Sequence, residues 1–86
     1  MDIEEQIKQF LDEIYNKYNN LTDEDDELKR TMKNEIYNFL YDNRIEIDNS
    51  PDVNFRSIEK YAVTLSNRFN DRWVGFTFLH SVILAL

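Results

Sequence analysis

The chain has no cysteine, one glycine, one proline and one histidine in 86 residues. Without cysteine there are no disulfides and no thiolate metal sites, and a reducing compartment is the simpler setting. With one glycine and one proline there is little to break a helix or to turn a hairpin. A single histidine, His80, leaves no His-rich ligand set, and its neighbour Ser81 would point away from it on a helix, so the two cannot act as nucleophile and base. The first residues, Met1-Asp-Ile-Glu-Glu, are acidic and carry no apolar core, so they do not read as a signal peptide. The longest apolar run, about residues 73–86, falls short of the ~20 residues a spanning helix needs and contains Gly75, Thr77, His80 and Ser81. The chain is therefore expected to be a cytoplasmic protein.

What is present is hydrophobic patterning and acid. The chain is 42% hydrophobic and 14% aromatic, too apolar for disorder despite a net charge of −7. Residues 1–48 hold fourteen Asp/Glu against six Lys/Arg, a charge of −8; residues 49–86 hold three against four, a charge of +1. This balance argues against direct nucleic-acid binding, which needs a Lys/Arg footprint. Eighty-six residues make one domain, 1–86, which buries roughly 60–65% of its unfolded surface, enough for one modest core.

The periodicity is helical almost throughout. Asp2 and Glu5 form a capping-box-like start, and Ile3, Ile7, Phe10, Leu11, Ile14, Tyr15 and Tyr18 recur at steps of three and four, which predicts a helix over 3–18. After Asn19-Asn20-Leu21, Thr22 offers a cap, with Asp23–Glu27 filling the first turn of a second helix that runs to about Asn43. Lys29, Arg30 and Lys33 are placed to pair with acids one turn earlier. Residues 44–48 alternate as a strand would but have no second strand to pair with, so an extended loop is expected. Pro51 suits the first position of a third helix, whose stripe is Phe55, Ile58, Tyr61, Ala62, Leu65 and Phe69. Asn70-Asp71 then breaks the pattern, with Asp71 capping a fourth helix over 72–86 rather than one long helix continuing through. The expected fold is all-α, an antiparallel three- or four-helix bundle.

No catalytic pattern stands out. The acidic run Asp23–Glu27 has no glycine and no ligand alternation of a calcium loop, and reads as a solvated helix start or as an acidic patch for a basic partner. His80 reads as a satisfied, half-buried side chain. Asn20-Leu21-Thr22 matches a glycosylation sequon but reads as a turn and a cap. Tyr37 and Tyr41, one turn apart, flank the stripe of the second helix; they either cap the core edge or serve an interface, where tyrosine offers area with a polar tip. Arg56, Lys60, Arg68 and Arg72 are candidates for a basic face. Segment 73–86 admits three readings: the most buried helix of the bundle, a surface for a partner or membrane interface, or an oligomer seam. The candidate partner-binding residues are Tyr37, Tyr41, Asp23, Glu24, Asp26, Arg68, Arg72 and Trp73, with no cofactor and no metal.

Glu13-Ile14-Tyr15-Asn16 in the first helix and the stretch Leu40–Pro51 between the second and third helices resemble the small immunity proteins that protect producers of pediocin-like bacteriocins. The resemblance covers about residues 4–65. It implies a four-helix bundle acting by protein recognition, with a toxin or a toxin-bound membrane receptor as partner and specificity set in the C-terminal half. The present chain departs from the family pattern in its very apolar C-terminus, which lacks a charged tail. Two other uses fit the residues: an acidic nucleic-acid mimic that occupies a basic protein groove, and a helical oligomer with 73–86 as its seam.

Overall fold

The computed structural model describes residues 2–86, all-helical, with four long helices and one short one. Helix α1 spans Ile3–Tyr18. Its N-cap Asp2 accepts from the Glu5 N–H at 2.8 Å, and Ile3, Ile7, Leu11, Ile14 and Tyr18 form its buried stripe. Helix α2 spans Asp26–Asp42 and buries Met32, Ile36 and Leu40. Helix α4, Phe55–Ser66, and helix α5, Arg72–Ala85, complete the bundle, while α3, Arg44–Asp48, is a single turn between α2 and α4. One apolar core joins all five elements.

Consecutive long helices run antiparallel, as expected, but neighbours across the two hairpins run parallel. Along α1 and α4 the partners advance together: Glu4 with Asn54, Lys8 with Ser57, Asp12 with Tyr61, Tyr15 with Arg68. Along α2 and α5 the same holds, from the Asp23 N–H on Asp71 to the Arg44 guanidinium on the Ala85 and Leu86 carbonyls. Helix α5 packs on α2 and α4, and α1 packs on the same two. The outer faces of α1 and α5 therefore look out from opposite sides of the bundle.

Four local expectations are corrected. Residues 44–48 are helical, not extended. Helical spacing puts Ile45 and Ile47 on opposite sides, so Ile47 is 2% exposed and Ile45 77%. Thr22 does not cap α2. Its N–H donates to Asp25 Oδ2 at 2.9 Å, and Asp23 to Asp25 precede the helix. Pro51 lies in a turn, and Asn54 caps α4 by accepting from the Ser57 N–H at 3.0 Å, with Phe55 left at the surface. His80 is exposed rather than half-buried. The break at Asn70-Asp71 is observed: Asp71 Oδ1 accepts from Trp73 N–H at 2.8 Å and Val74 N–H at 3.3 Å.

Candidate functional site

Helix α5 is apolar on both sides, and the bundle uses one of them. Val74, Gly75, Phe78, Ser81 and Val82 face inward. The hydroxyls of the helix are satisfied within it, since inward Ser81 Oγ donates to the Thr77 carbonyl at 2.7 Å and Thr77 Oγ1, at the edge, to the Trp73 carbonyl at 3.1 Å. Gly75 fixes which side is inward. A Cβ at that position would run into the Ser66 carbonyl oxygen and meet Phe69 Cβ at 3.4 Å, so only hydrogen lets α5 approach α4 this closely. The consequence is that Trp73, Phe76, His80, Ile83 and Leu84, together with Arg72, occupy the outward arc at helical spacing. Of the three sequence readings of 73–86, the structure supports the core reading for one side of the helix and leaves the other side unpartnered.

A groove of about 500 Å³ lies where the C-terminal ends of α2 and α5 meet, lined by Tyr37, Asn38, Tyr41, Arg44, Leu84 and Ala85. Tyr41 is among the most exposed large side chains of the chain, Tyr37 is half-buried with Lys33 Nζ 5.8 Å from its ring centre, and Leu84 forms the facing wall. Arg44 holds the floor in place. Its two terminal nitrogens donate to the Leu86 carbonyl at 3.1 Å and the Ala85 carbonyl at 2.6 Å, satisfying carbonyls that the end of a helix leaves open. Tyrosine and arginine around an aliphatic wall are side chains that anchor protein interfaces.

The remaining candidates assemble at the opposite end of the bundle. Asp71 joins the two loops there: its Oδ2 accepts from the Asp23 N–H at 2.8 Å while its Oδ1 caps α5. The Asp23 N–H, then the Trp73 and Val74 N–H groups, hold its carboxyl below the usual range. Lys29 Nζ sits 2.7 Å from Asp23 and 3.4 Å from Asp26, and the Asp23 hydrogen bond pushes its pKa up. Arg72 lies 5.7 Å from the ring centres of both Trp73 and Phe76. Thus Asp23, Asp26, Arg72 and Trp73 share one end, with Glu24 and Arg68 exposed in its loops, while Tyr37 and Tyr41 lie at the other end. Sequence reasoning missed Arg44, Phe76, Ile83 and Leu84. The available signal was a helix whose apolar residues cover more than one side while its hydroxyls need no outside partner.

Polar links brace the rest of the bundle. The Tyr61 hydroxyl donates to Asp12, which pushes the phenol pKa up, and Glu35 accepts from Tyr18 at 2.7 Å and Lys17 at 2.8 Å. Among the described residues no three His, Asp or Glu side chains form a group able to hold a metal ion, and no helix is long and apolar enough to cross a membrane. No family model, curated protein or solved structure matches the chain.

Proposed function

We propose that the chain is a non-enzymatic recognition module of the immunity or inhibitor kind, acting in the cytoplasm by binding a protein, either a toxin or the membrane receptor that a toxin has engaged. The observation that carries this reading is the groove of Tyr37, Tyr41, Arg44 and Leu84, a concave mouth with two aromatic anchors and an aliphatic wall at the end of the α2–α5 helix pair. Tyrosine loses little conformational freedom on docking, so an exposed Tyr41 beside a groove suits binding better than a flexible side chain would. The acidic-mimic alternative rests on free carboxylates in the Asp23–Glu27 run. Lys29 pairs with two of the five, which weighs toward the tyrosine groove.

The test is protection. Cells expressing the full chain are challenged with candidate toxins, and the recovered partner is titrated against Tyr41→Ala and Leu84→Ser variants. The reading expects protection from one cognate toxin and at least about tenfold weaker partner binding by Tyr41→Ala, equal to about 1.4 kcal/mol. Protection or binding that ignores both substitutions would contradict the groove as the recognition site.

A further inference from the structure

We propose that the outward face of α5 docks on an anionic lipid bilayer, lying flat on its surface. The inference is separate from the tyrosine groove, because it rests on the stripe formed by Trp73, Phe76 and Ile83, with His80 between them and Leu84 at its edge. Trp73 is 56% exposed, Phe76 47%, Ile83 46% and Leu84 61%, which together leave roughly 400 Å² of apolar surface open. No acidic residue lies within α5, and Arg72 at its start reaches over Trp73 and Phe76. A helix with tryptophan, phenylalanine and aliphatic residues outward, flanked by cations, is the form that settles at the headgroup boundary.

Within α5 the charge favours this occupant, since the helix holds Arg72 and no acid. Both cations of α1 are paired, Lys8 with Glu4 and Lys17 with Glu35. Among the described residues Arg30 and Lys33 on α2, Arg56 and Lys60 on α4, Arg68 before α5 and Arg72 within it have no carboxylate within 4.0 Å. They share those helices with the exposed acids Glu27 and Asp42 on α2 and Glu59 on α4, so the cations that belong to the stripe itself are Arg72, in α5, and Arg68, in the loop before it. At the Trp73 end Lys29 pairs with both Asp23 and Asp26 and offsets one of their two charges, with Glu24 and Glu27 left exposed. The acids of the α1 outer face, such as Glu5 and Glu13, look away on the far side of a bundle about 20 Å thick. That distance is more than twice the ~8 Å screening length at physiological salt, so those α1 acids act little on the opposite face.

A second copy fits less well. The stripe supplies about half of the ~800 Å² per partner that a stable interface uses. A bilayer asks for neither shape complementarity nor a large interface, and its phosphates take the flanking Arg and Lys.

Trp73 is the only tryptophan and lies in the proposed contact, so its emission reports docking directly. The full chain is titrated with vesicles of phosphatidylglycerol and phosphatidylcholine, and separately with phosphatidylcholine alone. The expected result is a saturable blue shift with the anionic vesicles, at least about tenfold weaker with the neutral ones and reduced by added salt. A Phe76→Ser/Ile83→Ser variant that keeps its helical signal and unfolding midpoint should lose about tenfold or more in partition. Arg56→Gln/Lys60→Gln should weaken anionic binding and flatten its salt dependence. Tyr41→Ala should leave partition unchanged, which separates this face from the groove. No shift with anionic vesicles, equal binding to neutral ones, or a blue shift that grows with protein concentration alone and tracks a doubled mass would overturn the proposal.

Discussion

Asp71 does three jobs with one carboxylate, taking N–H groups from Asp23, Trp73 and Val74. Its pKa in the folded chain lies below the ordinary 3.8, and that of Glu4 below 4.5, the latter chiefly through the Asn54 N–H. A carboxyl with a depressed folded pKa adds stability that is present above the unfolded pKa and is lost as pH falls through the folded one. The chain should therefore hold its stability through neutral pH and lose it progressively below about pH 4.5. In urea titrations at pH 7 and pH 3, Asp71→Asn should be the less stable protein at pH 7, with the gap narrowing at pH 3. A gap that stays constant would contradict the role given to the charge. Gly75 is the other residue on which an element depends. Alanine would gain about 1 kcal/mol in helix propensity. It would also collide with a backbone carbonyl that cannot swing away, an overlap that costs about 1–3 kcal/mol. The net expectation for Gly75→Ala is a loss, read as a lower denaturant midpoint at unchanged slope.

At the scale of elements, the long helices were legible because their signals agree with one another. Helix α1 has a cap, a seven-residue stripe and a polar outer face, and it spans the predicted residues. The Asn70-Asp71 break was legible because a capping side chain stands beside a weak helix former. The 44–48 segment was misread because alternation over five residues fits a strand by period alone, and what decides is where each isoleucine lands. On a helical turn Ile47 enters the core and Ile45 does not. Ile47→Ala should then cost about 2–4 kcal/mol and Ile45→Ala less than about 0.5 kcal/mol in equilibrium unfolding. Similar costs would argue for the extended form. Thr22 and Pro51 were misassigned for a related reason: each suits a helix start in isolation, yet Asp25 and Asn54 each stand directly before the first helical residue, and their environment could not be read from local sequence.

At the scale of the molecule, charge asymmetry along the sequence becomes asymmetry in space. The acidic half of the sequence supplies α1 and α2, which pack on each other, and the other half supplies α4 and α5, which do the same. Helix order and direction could be inferred from short connections, but the parallel pairing of α1 with α4 and of α2 with α5 could not. That pairing comes from the 43–54 crossing and from contacts between residues about fifty positions apart, such as Lys8 with Ser57. The candidate site was legible in part. Tyr37, Tyr41 and Trp73 lie on the surfaces described, whereas Phe76, Ile83 and Leu84 became visible only once Gly75 had fixed which side of α5 faces the core, and Arg44 only through its bonds to the Ala85 and Leu86 carbonyls.

Helix α5 has two apolar sides, one that holds the fold together and one left open. Phe76 and Phe78 test it most directly, being the same residue type two positions apart in one helix. Phe78 is fully buried and Phe76 is half open. Equilibrium unfolding of Phe78→Ala should show a loss of about 3–5 kcal/mol, and that of Phe76→Ala a loss below about 1 kcal/mol. Equal losses would contradict the claim, since they would mean that both sides of α5 are needed for the fold and that no side is free to bind.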